Sequence, residues 1–422
     1  MRTPFPWMSA DLDSLAAAGL RRGRRVVRPL PGGACEIDGR RLWNFASNDY
    51  LGLAADPRVA KAAQAALSEA GVGATASALV AGRTEWHARL EQALARFEGQ
   101  EAAMLFPTGY AANVGTIAAL IEDEDVVFCD RWNHASLIDG CRLSGAKLRV
   151  FRHSELATLE RELQKAAGFR RRLIATDAVF SMDGDVAPLR ELCDLAERFD
   201  AELLVDEAHG TGVFGEHGRG VCEQLNVENR VSVRVGTLSK AIGTLGGFVA
   251  GPQTLIDWLW NKARPQVFST ALPPAICAAA TTAIVIIQDE PELRAKLWRN
   301  CEFVRRELVK GSGVFFRSDE RPLSTGSQKD VQERHADLKK TPDPVAWFGN
   351  SAGPIIPIVL GDPDAVIAAQ RKLEERGCLV AAIRPPTVPQ GTSRLRISLS
   401  AAHDEVALQN LVDALREVVP IP

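Results

Sequence analysis

Between residues 100 and 250, short β-rich runs alternate with amphipathic helical stretches, and this alternation constrains the fold more than any other feature of the chain. The runs are Ala102 to Phe106, Val126 to Cys129, Leu148 to Phe151, Leu173 to Thr176, Leu203 to Val205, Val231 to Val235 and Gly247 to Ala250. Between several of them lie stretches such as Glu155 to Lys165 and Leu189 to Phe199, where apolar residues recur at three-to-four spacing. Strand and helix in turn predict an α/β fold with a mostly parallel sheet covered by helices. From about Pro291 the pattern changes to a long helix (Glu292 to Lys310), a strand at Ile355 to Val359, a helix (Ala365 to Arg376), strands at Leu379 to Ile383 and Leu395 to Leu399, and a last helix (Glu405 to Val418). The expected organisation is an N-terminal arm over 1–55, a large domain over 56–290 and a smaller C-terminal α/β domain over 291–422, which carries a polar excursion at 317–349.

The 422 residues hold 50 basic and 53 acidic side chains, a net charge of -3. No global basic field draws nucleic acid or an anionic membrane, so any phosphate site must be local. Eight cysteines, with no CxxC and no cluster with histidine, read as reduced buried thiols. The most apolar run, Ala275 to Ile287, spans only 13 residues and reads as a buried helix, short of a membrane span. Acidic Asp11 and Asp13 interrupt the first residues, which do not resemble a secretory signal, and a cytoplasmic location is expected.

Two segments carry chemistry. In Leu203-Leu204-Val205-Asp206-Glu207-Ala208-His209-Gly210 an apolar strand ends in charged residues, and ligands of parallel sheets bind at the carboxyl ends of strands. The same D-E-A-H letters occur in helicase-like ATPases, but those also need a GxxxxGK[ST] phosphate loop, and this chain has no Gly-Lys dipeptide. The second segment, Gly236-Thr237-Leu238-Ser239-Lys240, also follows a strand. Lys240 is one of only 11 lysines and sits among small, apolar and hydroxylic neighbours, the setting of a Schiff-base lysine. A Schiff-base lysine, a carboxylate for a pyridine nitrogen and donors for a phosphate together suit pyridoxal 5'-phosphate.

The chain resembles the α-oxoamine synthases, pyridoxal phosphate enzymes of the aspartate aminotransferase fold (fold type I), along nearly its whole length. The matching segments are Asn44 to Leu53, Pro107 to Asn113, Phe180 to Asp185, Val205 to Gly212, Gly236 to Lys240 and Ser393 to Ile397, in the family's order. The resemblance implies that Lys240 holds the cofactor, that Asp206 meets the pyridine nitrogen, that His134 stacks on the ring and that His209 lies near the ring hydroxyl. It also implies Gly109 and Tyr110 at the phosphate loop, Ser181 and Thr237 as hydroxyls around the cofactor, and Ser269 and Thr270 reaching the phosphate of a neighbouring subunit in a homodimer. On the substrate side it implies Arg396 gripping the amino-acid carboxylate, with Asn48, Arg384 and Arg21 as further contacts. The segments around Arg384 and Arg396 point, within the family, to L-alanine and a pimeloyl thioester on CoA or acyl carrier protein; other members use glycine with acetyl or serine with long-chain thioesters.

Arg394 shares a strand face with Arg396 and is expected to be structural. Asp183-Gly184 reads as a turn. Ala78 stands where many relatives carry arginine or another polar residue, a departure that bears on the acyl-donor contacts of that loop. The cluster Arg21, Arg22, Arg24, Arg25 and Arg28 has two readings, a solvated helix end or a site attracting the phosphates of a thioester carrier or the distal carboxylate of a pimeloyl chain.

Overall fold

The computed structural model describes residues 5–310 and 351–419; the polar excursion at 317–349 lies outside them. The chain divides into two compact units. One comprises residues 48–181 and 185–297, the other residues 1–47, 182–184 and 298–422.

The larger unit is built on a seven-stranded sheet in the order Ala102–Phe106, Gly247–Gly251, Val233–Thr237, Glu202–Asp206, Arg172–Asp177, Val126–Asp130, Lys147–Phe151. Gly247–Gly251 runs antiparallel to both neighbours, and the other pairings are parallel. Val126–Asp130 and Val233–Thr237 are buried at every position, which explains why they read as near-continuous apolar runs rather than alternating ones. Leu189–Arg198 buries Leu189, Leu192, Cys193, Leu195 and Ala196, a single stripe at helical spacing. Pro274–Asp289, the most apolar stretch, buries nine side chains, and no helix among the described residues is long and apolar enough to cross a membrane.

The smaller unit holds two sheets. Arg28–Leu30, Ala34–Ile37 and Arg40–Asn44 pair in sequence, and Cys378–Leu379 joins them in parallel on Arg40–Asn44. Ile355–Gly361, Ser393–Ser398 and Ala381–Ile383 form an antiparallel sheet, with helices Pro363–Glu375 and Glu405–Val418 following in sequence.

Arg40–Asn44, within the expected arm, pairs with Cys378–Leu379, and residues 1–47 fall in the same unit as 298–422. Two sequence expectations differ here. The single strand expected at Leu379 to Ile383 divides at Val380, its halves going to different sheets. The run at Val231 to Val235 becomes a strand only at Val233–Thr237. Apolarity ends at Val235, but pairing of Gly236 and Thr237 with Phe248 and Gly247 extends the ladder to the residues that matter.

Candidate active site

Asp206, Asp177 and Val235 stand side by side across three parallel strands, so two carboxylates emerge at the carboxyl end of the sheet. Asp206 is 4% exposed. One of its oxygens accepts from the Ala208 amide at 2.8 Å and the other from Asn113 Nδ2 at 2.6 Å. Asp177 accepts from the backbone amide of His134 at 2.6 Å. Burial first, and the charge of Asp206 second, push the Asp177 carboxyl well above the usual carboxylate range.

His134 caps the helix Ala135–Leu143, its Nδ1 accepting from the Ser136 amide at 3.3 Å and lying 2.7 Å from the Ser136 hydroxyl. The residue is exposed by area, yet its surroundings are dense enough that desolvation is the largest cause holding its ring pKa below the ordinary value. Lys240 lowers it further, against Asp206 and Asp139. The charge of Lys240 acts on both His134 and Asp177, which places the lysine among these groups. Lys240 is half-buried, in the turn that follows Val233–Thr237, and its carbonyl accepts from Gly243 at 2.9 Å.

Gly109 and Tyr110 open the helix Gly109–Leu120, whose cap Thr108 accepts from Ala111 at 3.0 Å. The first turn of a helix carries amides with no intrahelical acceptor, a ready site for an anion. A Cβ on Gly109 would lie 3.1 Å from Thr237 Cβ, and one on Gly247 would lie 2.6 Å from the Gly109 backbone. Glycine at both positions lets the helix start press against the strand ends. Thr237 donates its hydroxyl proton to the Gly246 carbonyl at 2.9 Å and lies 2.8 Å from the Ser239 hydroxyl; exposed Ser239 is the neighbouring hydroxyl that had no assigned role. Tyr110 donates to Asp139 at 2.6 Å.

His209 Nδ1 lies 2.7 Å from the hydroxyl of fully buried Tyr50, which is 3.3 Å from Asn48 Oδ1. Ser181 sits half-buried at a turn. Thr270 bridges to Ser77 and is exposed, and both Ser269 and Thr270 line a pocket with Ala78, Arg83 and His87. The structure thus gathers the sequence-assigned cofactor residues, with Asn48, in one unit. Arg21, Arg384 and Arg396 belong to the other unit. There Arg396 is 5% exposed and donates to Ser398 at 2.9 Å. Arg394 pairs with Asp183. Arg384 donates to the Gly19 carbonyl, and burial with Arg22 nearby holds its pKa below the usual value. Arg21 is exposed, while Arg25 is engaged by Glu374 at 2.6 Å.

Asn113, Ser136, Asp177 and Tyr50 had no role assigned from sequence. Asn113 and Tyr50 stand inside quoted motifs, but their partners are far away in the chain, and a buried polar residue is the only signal they carry.

A deeply buried carboxylate at a strand end, a half-buried lysine whose charge reaches the neighbouring Asp177 and His134, and a close-packed helix start together fit a planar, phosphorylated pyridine. The chain belongs to the aminotransferase class I and II family, whose pattern matches residues 40–322 and 324–415. Within that family it is an α-oxoamine synthase. It is 45% identical over 420 residues to 8-amino-7-oxononanoate synthase of Anaeromyxobacter dehalogenans (strain 2CP-1), covering 99% of this chain and 97% of that protein. The same enzyme of Anaeromyxobacter sp. (strain Fw109-5) is 45% identical over 421 residues, covering 100% and 98%. Among solved structures, serine palmitoyltransferase of Sphingomonas wittichii superposes with a TM-score of 0.85 at 33% identity, covering 100% of this chain and 99% of that one. 8-Amino-7-oxononanoate synthase of Francisella tularensis superposes with a TM-score of 0.70 at 26% identity, covering 90% and 98%. The cofactor is pyridoxal 5'-phosphate.

Proposed function

We propose that this chain condenses L-alanine with a pimeloyl thioester, releasing CO₂ and the carrier thiol, to give 8-amino-7-oxononanoate in biotin biosynthesis. It is a pyridoxal phosphate-dependent acyltransferase. The observation that carries the reading is end-to-end identity of about 45% with enzymes of that name.

When bound, the cofactor supplies an electron sink for the charge that develops at the amino-acid Cα. Lys240 would hold the cofactor through its Nζ, and the same amine is the group placed to take and return the proton at the amino-acid Cα. Asp206 would meet the pyridine nitrogen and favour its protonated form, and the ring of His134 would offer a stacking face. His209 would lie near the ring hydroxyl, Ser181 and Thr237 would supply hydroxyls around the cofactor, and Gly109 and Tyr110 would meet the phosphate. Arg396 presents a planar fork to the amino-acid carboxylate, with Asn48, Arg384 and Arg21 as the remaining substrate contacts. Ser269 and Thr270 complete the phosphate site of a second copy, which makes the working form a homodimer; Phe268 beside them is 71% exposed in the single chain, in keeping with a covered surface. The reading keeps the enzyme in the cytoplasm.

Product analysis with L-alanine and pimeloyl donors on both CoA and acyl carrier protein tests the proposal and identifies the donor. The second reading, condensation of serine with a long-chain thioester, draws on the serine palmitoyltransferase superposition. A higher kcat/KM for serine with palmitoyl-CoA, or for glycine with acetyl-CoA, overturns the first reading. Loss of the cofactor's visible absorbance and of product in Lys240→Ala is the control, and sedimentation tests the dimer.

A further inference from the structure

Four groups drawn from three elements are tied by an unbroken row of hydrogen bonds. Asn113 Nδ2 lies 2.6 Å from Asp206 Oδ2 and 2.9 Å from Ser136 Oγ, and Ser136 Oγ lies 2.7 Å from His134 Nδ1. Asn113 is 1% exposed, Asp206 is 4% exposed and Ser136 is fully buried, so water does not compete for the two bonds that Asn113 donates.

The row has only one consistent polarity. An amide nitrogen is donor-only, so its two protons go to the Asp206 carboxylate and to the Ser136 oxygen. Turning the amide over would set its carbonyl oxygen 2.6 Å from the Asp206 carboxylate, two acceptors with no proton between them. Having accepted from Asn113, the Ser136 hydroxyl must send its own proton on to His134 Nδ1. The Ser136 backbone amide, which can only donate, points to the same nitrogen at 3.3 Å. Two donors converging on Nδ1 exclude a proton there. The charged and titratable groups facing the ring agree: desolvation and Lys240 disfavour the imidazolium more than Asp206 and Asp139 favour it, while Asp177 holds the His134 backbone amide.

Asn113 Oδ1, meanwhile, is buried without a hydrogen-bond partner among the described residues. A buried orphan carbonyl is a cost to folding, and a residue that carries one is held for what its donors do.

We propose that Asn113 is a positioning residue which sets the Asp206 carboxylate and the His134 ring together, and which through Ser136 fixes His134 as the neutral tautomer protonated at Nε2. A neutral ring would offer its face to the cofactor without adding a further cation beside Lys240 and a protonated pyridine. This rests on the assignment of Lys240, Asp206 and His134 to the cofactor proposed above.

The test is the nitrogen spectrum of the histidine rings in the full-length protein, ¹⁵N-labelled at its seven histidines, before and after loading with pyridoxal phosphate, with His134→Asn assigning the signal. At pH 7, His134 is expected to show an unprotonated Nδ1 and a protonated Nε2. Asn113→Asp replaces the donor by an acceptor, so Ser136 turns its proton away from His134. The fixed tautomer then becomes a mixture and cofactor binding weakens at least tenfold. Ser136→Ala is expected to release the tautomer with a smaller loss of affinity, since Asn113 still holds Asp206. A proton on Nδ1 in the wild type overturns the proposal even if neither variant folds. Unchanged ring signals and cofactor affinity in both folded variants overturn it as well. A product other than 8-amino-7-oxononanoate would refute the substrate assignment and leave the ring spectrum to decide this one.

Discussion

His153 is the most informative single position for stability. Its ring lies between two carboxylates, Nδ1 at 3.1 Å from Asp130 and Nε2 at 2.8 Å from Asp185. It also stacks on Trp132 at 4.1 Å and meets the edge of Phe180 at 4.4 Å. Although burial opposes the charge, the two carboxylates prevail and raise the imidazole pKa to about 10. The ring is therefore a cation throughout the physiological range. Against an ordinary value of 6.5, the raised pKa contributes stability that is complete below pH 6.5 and lost as pH rises through about 10. At roughly 1.4 kcal/mol per pH unit, that is about 5 kcal/mol at the low end and about 3 kcal/mol at pH 8. His153→Gln keeps two hydrogen-bonding ends but no charge, leaving Asp130, 2% exposed, without its cation; the expected loss is about 3 to 5 kcal/mol at pH 6. Urea unfolding of both proteins between pH 6 and pH 10.5 measures it. The gap should narrow steadily as pH rises and nearly close at the alkaline end. A gap independent of pH would refute the argument, because a packing defect does not titrate. Cofactor affinity should fall in parallel, since Trp132 leads directly into Asn133, whose amide donates to the Ala175 carbonyl at 2.7 Å and anchors the start of the His134 loop.

Three further outcomes are expected. Asp206→Asn should lower kcat by about tenfold to a hundredfold, the 1.5–3 kcal/mol of one charge-assisted hydrogen bond; single-turnover kinetics with the cofactor saturating measures it, and wild-type turnover would contradict the role. Gly109→Ala puts a methyl 3.1 Å from Thr237 Cβ and 3.2 Å from its Oγ1, so phosphate binding should weaken by the overpacking cost of roughly 1–3 kcal/mol, read from pyridoxal phosphate titration against little change with pyridoxal. All eight cysteines are buried and free, and burial raises the pKa of Cys193, Cys277, Cys301 and Cys378; a thiol reagent should find no fast-reacting group in the native protein and eight after denaturation.

Much of the site was legible in sequence because its chemistry sits at strand ends, and strand ends are local events. Asp206 closes an apolar run, and Lys240 follows another after a short hydroxylic turn. Gly109 marks where a strand gives way to a helix. The resemblance added roles that local pattern alone left open, such as those of His134 and Arg396. The boundaries were less legible. Leu379 and Ala381 read as one strand because apolarity does not record which neighbour pairs with each half. Thr237 fell outside its expected strand because only the partner at Gly247 extends the ladder to it.

The sequence by itself determined the alternation of strand and helix, the scarcity of lysine that singles out Lys240, and the residue types needed to hold a phosphorylated pyridine, since each depends on neighbours within a few positions. Tertiary structure alone decided which groups act together. Asn113 meets Ser136 from 23 residues away and Asp206 from 93, and the imidazolium of His153 exists only because chain closure sets two carboxylates, 23 residues before it and 32 after it, on either side of one ring. Hydrogen-bond polarity and charge are properties of such encounters in a dry interior, and a linear order of residues does not contain them.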